Sequence, residues 1–370
     1  MSESHTTSLL QGVRVLDLSQ YIPGPYATRL MADLGADVLK IEPPNGEPMR
    51  QMMRARKDQI SPLYLHLNRG KRVVFLDLKS TSGRDQLSNL VDGADVLLDG
   101  FRPGMLDKLG FDKARLMAIN QRLILCRLSG FGLTGPNRMK AGHDIGYCAV
   151  AGFYSSNAGR YREALRGETN YANNSPVPEI PFPPIADHVG ALQAVNSILA
   201  ALVGRERSSM GCELDISLYE SISSWQYFSS TPEVVDMLSG AAAYYNIYRT
   251  KDHRLITLGA IEPHFWEAFC AAVQRPQWLS RYHEPLPQND LKQALSALFL
   301  TEALSYWVSV FRDVDCCFEP IPLSTEVFDH PQTSSRGISD GEKFSYPGQI
   351  NHQTTPIRPP PEVVNTATWL

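Results

Sequence analysis

The chain has 370 residues, 43% of them hydrophobic and 20% charged, with a formal net charge of −4. That length exceeds one ordinary core, so two domains, or a large domain with a satellite, are expected. The composition is that of a folded globular protein, and the lack of a basic surplus argues against nucleic-acid binding while leaving room for a local basic pocket.

Residues 13–18 read as a strand, and Pro23-Gly24-Pro25 as the turn after it. Helical apolar spacing over 27–34 stops at Gly35, and 36–41 reads as a second buried strand, completing a β–α–β unit. The rhythm repeats: strand 72–78, helix 82–91, strand 95–98, the turn Gly100-Phe101-Arg102-Pro103-Gly104, and strand 123–128 ending in Ser129-Gly130-Phe131-Gly132. This alternation defines an α/β domain with an open parallel sheet, whose ligands sit beyond the carboxyl ends of the strands. Segment 155–184 breaks the pattern with a polar, Pro-rich loop or lid, and Asp187 opens a long amphipathic helix to about 206. Beyond it a hairpin around 251–254, a helix from Pro263 and helices over 289–300 and 301–311 make a small α+β domain. The expected division is 1–217 for the large domain, 218–333 for the small one, and a Pro-rich tail, 334–370, packing back on the first.

Cys126, Cys148, Cys212, Cys270, Cys316 and Cys317 form no C-x-x-C pair, so neither a zinc ribbon nor a redox pair is expected, and the adjacent Cys316 and Cys317 read as semi-buried small apolar residues. The start, MSESHTTSLLQG, has no basic run before an apolar core, no stretch reads as a membrane span, and TATWL carries no peroxisomal address. The expectation is a cytoplasmic protein with neither a membrane nor a nucleic acid as partner.

Three acid–imidazole spots stand at breaks in regular structure: His143-Asp144, Asp187-His188 and Glu262-Pro263-His264. Catalytic groups concentrate at such corners. Each has a plainer reading: Asp187 as a helix cap, Asp144 as the cap of a helix beginning near Ile145, His143 as a structural histidine, Glu262 as a solvated charge. No H-x-x-x-H or H-x-H pair aims two imidazoles at one ion, so no metal site is expected. For a phosphate-bearing ligand the basic candidates are Arg69, Lys71, Arg72, Lys79, Arg102 and Lys108, with a solvated basic loop as the alternative. The dinucleotide glycine fingerprint is absent after the first strand, where Tyr21-Ile22-Pro23-Gly24-Pro25 stands instead.

These motifs together resemble the class III CoA-transferase superfamily, of CaiB/BaiF type, and within it the α-methylacyl-CoA racemases. The resemblance runs along nearly the whole chain: Gly12 through Leu18, Ala32-Asp33-Leu34-Gly35-Ala36-Asp37-Val38, the run from Asn68 to Leu76-Asp77-Leu78-Lys79, Gly100 through Gly104, Leu128 through Pro136, Ala141-Gly142-His143-Asp144-Ile145, and Gly259-Ala260-Ile261-Glu262-Pro263. It implies a Rossmann-like large domain, a small domain, and a homodimer of interlocked chains. It implies an acyl-CoA thioester as substrate and no cofactor beyond the coenzyme A that the substrate carries. His143 and Asp187 would flank the substrate α-carbon, with Glu262 supporting the histidine and Asp144 lying where the thioester oxygen is held. Coenzyme A would meet Arg69, Arg72, Leu76, Asp77, Leu78, Lys79, Gly100, Arg102, Lys108 and Tyr147. In transferases of the superfamily the residue matching Asp187 instead attacks the thioester, forming a mixed anhydride and then an aspartyl-CoA thioester, with no need of His143. A purely binding role would leave His143, Asp144, Asp187 and Glu262 together unexplained. Three departures bear on the acyl group. The stretch before Asp187 is longer than the racemase pattern and carries Arg160, Arg162, Arg166 and Glu168, which suit a polar or carboxylated acyl group. His188-Val189 is bulky where small residues are usual, and Pro43 stands where racemases can carry a basic residue.

Overall fold

The computed structural model describes residues 8–53, 56, 59–157 and 180–369. Most of the expected loop or lid, with Arg160, Arg162, Arg166 and Glu168, lies outside the described residues. Two compact units emerge: residues 1–151, 180–224 and 328–370 form the first, 152–179 and 225–327 the second.

The first unit is built on strands β1 (Arg14–Asp17), β2 (Asp37–Glu42), β3 (Arg72–Phe75), β4 (Val96–Asp99), β5 (Ile124–Ser129) and β6 (Cys212–Ser217). The second contributes β7 (Tyr245–Arg249), β8 (Leu255–Gly259) and β9 (Phe318–Ile321); β10 (Gln349–Ile350), β11 (Gln353–Thr354) and β12 (Glu362–Val363) follow in the tail. The main sheet has seven strands in the order β12-β3-β2-β1-β4-β5-β6. All its pairings are parallel. The crossovers carry α1 (Pro23–Asp33), α2 (Pro62–Asn68), α3 (Thr81–Asp92), α4 (Met105–Lys108), α5 (Lys113–Ile119), α6 (Asp144–Val150) and, beyond the short α7 (Phe153–Asn157) of the second unit, α8 (Ile185–Ser208). β4 is buried along its whole length and β5 nearly so, as a parallel sheet covered on both faces requires. The strand order reverses at β1, which pairs β2 on one side and β4 on the other. This is the expected Rossmann-like α/β architecture, and its reversal point is where such sheets hold ligands.

Three details differ from the sequence reading. Pro23-Gly24-Pro25 is not a turn but the first turn of α1, because Pro at N1 lacks only an N–H that has no helical partner anyway. β6 was not foreseen, although Leu214 and Ile216 alternate as a strand should; it pairs with β5 from Ile124↔Cys212 to Ser129↔Ser217. α8 is long and apolar enough, by length and composition, to cross a bilayer, contrary to the expectation that no stretch reaches that length. Here Ala186, Gly190, Ala191, Ala194, Val195 and Ile198 are buried in the first unit, where α8 packs on α1, β5 and β6.

The tail pairs β12 with β3 through Glu362↔Arg72 and Val363↔Val73. Trp369 lies beneath two guanidinium groups, 4.6 Å from that of Arg14 and 4.9 Å from that of Arg72. In the second unit β7, β8 and β9 form an antiparallel sheet over a core that includes Trp266, Phe269, Leu291, Leu295, Phe299 and Trp307. Pro263 is at the start of its helix, as expected. Cys316 is buried, whereas Cys317 is exposed, with φ 55°.

A buried ionic network holds the carboxyl ends of β1 and β2. Asp17 accepts from the Thr28 hydroxyl (2.6 Å) and from Lys71 Nζ (3.0 Å). Lys40 Nζ reaches Ser19 O (2.8 Å) and Glu47 (3.2 Å). Glu42 accepts from the Tyr64 hydroxyl (2.6 Å) and from Arg50 Nε (2.5 Å). Burial alone would raise the Asp17 carboxyl, but Lys40, Lys71 and the hydroxyls of Ser19 and Thr28 hold it well below the usual range. Since the folded value is below the unfolded one, the stabilisation is complete above pH 3.8 and is lost as pH falls further. Asp17→Asn, which strands Lys71 without its counterion, should cost about 3–5 kcal/mol in denaturant unfolding at pH 7.

Candidate active site

The turn after β4 and the turn after β1 meet at the reversal point, and two glycines allow it. A Cβ on Gly100 would lie 2.7 Å from Ser19 Cβ, and one on Gly24 would lie 2.1 Å from the same atom. The turn at Gly100 is closed by Asp99, which accepts from Phe101 N at 2.9 Å. It presents Arg102 to solvent, and Lys108 ends α4, also exposed.

Beyond β5 the chain reaches the Gly142-His143-Asp144 motif. His143 is the exposed N-cap residue of α6 and makes no side-chain cap. Its placement depends on Tyr147, one turn on, whose hydroxyl donates to Gly142 O at 2.8 Å. The Tyr147 ring fills the space beside Gly130 and Gly142: a Cβ on either would lie 2.4 or 2.7 Å from its Cε1. Phe131 packs edge-on against the same ring at 5.2 Å.

Asp187 sits in the first turn of α8 and does not cap it; the N-cap is Pro184, with no side-chain bond. Nor does Asp144 cap its own helix. Its Oδ1 accepts from Asp187 N at 3.1 Å, and its Oδ2 receives the Cys148 thiol at 3.8 Å. Asp144 thus joins the starts of α6 and α8, supplying to α8 the acceptor that Pro184 cannot. Burial first, and then the Asp144 charge, push the Asp187 carboxyl up to about 7. Burial likewise raises the Tyr147 phenol, with Asp187 and Asp144 adding to the rise and Arg102 opposing it. His188 Nδ1 donates to Pro184 O at 2.5 Å, and its ring meets Tyr26 of α1 edge-on at 4.8 Å.

The first unit therefore brings His143, Asp144, Tyr147 and Asp187 together. Glu262 belongs to the second unit, where it is the exposed N-cap residue of the helix Pro263–Ala272.

The expected coenzyme A contacts divide sharply. Arg69 is 2% exposed and bonds Asp33 at 3.0 Å, so it faces the interior. Lys71 is spent on Asp17, Asn68 and Pro25 O. Arg72 stands at the amino end of β3, away from the carboxyl ends, where it pairs with Asp37 and donates to Thr368 O at 2.9 Å. Arg69 and Arg72 are thus structural cations. The Leu76 side chain is buried in the core and Leu78 packs against it, leaving the backbone of that turn for a ligand. Asp77 accepts from Lys79 N at 3.0 Å to shape the turn, and Lys79 is exposed. Of the expected contacts, Lys79, Arg102 and Lys108 are the exposed cations.

Sequence reasoning missed the bond from Asp144 to Asp187 and the buried network under β1. The first joins residues 43 apart along the chain and leaves no local pattern. The second showed itself only as charges ending apolar strands, Asp17 and Glu42.

The chain belongs to CoA-transferase family III, whose model matches residues 10–362. It is 32% identical to the alpha-methylacyl-CoA racemase of Homo sapiens, over 96% of this chain and 87% of that protein. It is 28% identical to the acetyl-CoA:oxalate CoA-transferase of Acetobacter aceti, over 88% and 84%. Among solved structures, Rv3272 from M. tuberculosis superposes with a TM-score of 0.79 at 26% identity, covering 98% of this chain and 99% of that one.

Because the Asp187 carboxyl rises from 3.8 to about 7 on folding, its charge costs stability. The folded state holds the proton more tightly, so the penalty is absent below about pH 4, grows as pH rises, and is complete above 7. Asp187→Asn should therefore stabilise the protein by about 4 kcal/mol at pH 8 and by almost nothing at pH 4, measured as paired thermal melts.

Proposed function

We propose that the protein is an acyl-CoA isomerase that inverts the α-carbon of a 2-methyl-branched acyl-CoA by proton transfer between His143 and Asp187. The observation that supports this over other chemistry is the Asp187 carboxyl, pushed up to about 7 beside the bridging Asp144. A general acid or base works best with a value near the working pH. A carboxylate that must attack a thioester gains nothing from being half protonated.

In this reading the α C–H, weakly acidic beside the thioester, loses its proton to one of the two groups. The electron pair moves into the carbonyl, giving an enolate. The other group returns a proton to the opposite face, and the configuration inverts. The N–H groups of Asp144 and Ile145, first in α6, supply hydrogen bonds to the enolate oxygen at the positive end of the helix dipole. Tyr147 holds the His143 loop. Lys79, Arg102 and Lys108 supply the positive charge that the phosphates of coenzyme A require. A homodimer in the cytoplasm is the working assembly in this reading.

A second reading has specific support. Relatives matched over most of this chain include an acetyl-CoA:oxalate CoA-transferase and a succinyl-CoA–D-citramalate CoA-transferase. There Asp187 would be the nucleophile, carrying coenzyme A as an aspartyl thioester between an acyl donor and a carboxylic acid.

Incubation in D₂O with a panel of 2-methylacyl-CoA esters, followed by NMR, separates the two. Racemase chemistry gives α-hydrogen exchange with inversion and no acceptor acid. His143→Ala and Asp187→Asn then each lose a factor of at least about 10²–10⁴ while coenzyme A still binds. No exchange with any ester, but coenzyme A transfer once a carboxylate is added, makes this a transferase.

A further inference from the structure

Tyr21 has a backbone that its side chain disfavours. Its φ is 64°, in the left-handed region where a bulky residue is strained and Gly or Asn is at ease. It lies beyond β1, after Leu18, Ser19 and Gln20, and precedes Ile22, the N-cap residue of α1. It stands in the loop that leads from β1 into α1 at the reversal point, and α1 carries Tyr26, whose ring meets His188, the chain neighbour of Asp187. The ring is 44% exposed, so the core does not account for a tyrosine there.

The strain is held by buried charge. Tyr21 N donates to Glu47 Oε2 at 3.1 Å, and Glu47 is 1% exposed. Glu47 is fixed in turn by Lys40 at 3.2 Å and by its own N–H bond to Glu42 at 3.0 Å. The carboxylate that pairs with buried Lys40 thus also fixes the backbone that sets the direction of the Tyr21 side chain. Strain maintained in this way clusters at ligand clamps and active sites.

We propose that Tyr21 is a further substrate-contacting residue, its ring lying against the pantetheine arm of the bound CoA thioester, and that Glu47 is the positioning residue that holds it there. The inference rests on the coenzyme A reading above and is indifferent to whether isomerisation or transfer follows. The arm is a chain of methylenes and amides, which an aromatic face accepts, and it must cross the reversal point to bring the thioester to Asp187.

Calorimetric titration with coenzyme A and, separately, with 3′-phosphoadenosine 5′-diphosphate, which lacks the arm, tests this. Tyr21→Asn keeps a residue at ease with positive φ while removing the ring. It should weaken coenzyme A about tenfold, leave the nucleotide unchanged, and not lower the melting temperature. Tyr21→Phe should match wild type. Glu47→Ala should reproduce the arm-selective loss and Glu47→Gln, which keeps the acceptor, should restore it. Unchanged coenzyme A affinity in Tyr21→Asn, or an equal loss for both ligands, overturns the proposal. A wild-type protein that binds neither ligand removes the coenzyme A reading, and this inference with it.

Discussion

Asp17 is the point on which the first unit turns. A carboxylate at the end of the central strand, fully buried, cannot be left alone; it must gather partners. It draws Lys71 inward from the loop before β3 and Thr28 from α1, and Lys40 from β2 acts on the same charge. Those ties fix two crossovers and the neighbouring strand at one spot. The same spot sets the direction of the turn at Ser19, ahead of the strained backbone at Tyr21. Breaking such a pair by removing one partner is costly because the other charge stays buried. The network thus lends little net stability for its size and a great deal of geometric definition.

A second tie, weaker but nearer the chemistry, is the bond from Asp187 N to Asp144. It brings two carboxylates into one partly dry space at the start of two helices. Both helix dipoles favour negative charge there, yet burial and mutual repulsion prevail and Asp187 is pushed up to about 7. The site therefore holds one carboxyl that readily exchanges a proton next to one that is committed to structure. Separating two like groups by environment is a general way of assigning acid and base roles.

Much of the fold was legible in the sequence because parallel strands buried on both faces leave apolar runs, and these alternate here with helical spacing. The hairpin of β7 and β8 and the helix at Pro263 were legible through their turn residues. The first turn of α1 was not, since Pro-Gly-Pro signals a turn and the first turn of a helix alike. β6 was hidden because only its last two residues are buried and its sequence mixes charge with apolar residues. The site motif around His143 was visible, but which basic residues face a ligand was not. Arg69, Lys71 and Arg72 look like a phosphate-binding run, and only the burial of Asp17 and Asp33 explains why two of them point inward. The third stands at the wrong end of its strand.

The seventh strand of the sheet carries a consequence for how the chain reaches its native state. β12 pairs with β3 across nearly three hundred residues, and Trp369 is gripped by Arg14 and Arg72 from the opposite end of the chain. During synthesis β1 to β5 emerge early, yet the edge of β3 stays open until residues 362–369 have left the ribosome. An unpaired edge on an apolar parallel sheet is a hazard for aggregation, and closing so long a loop is slow. The nascent protein must therefore wait, with one flank of its main sheet uncovered, for residues 362–369 to seal it.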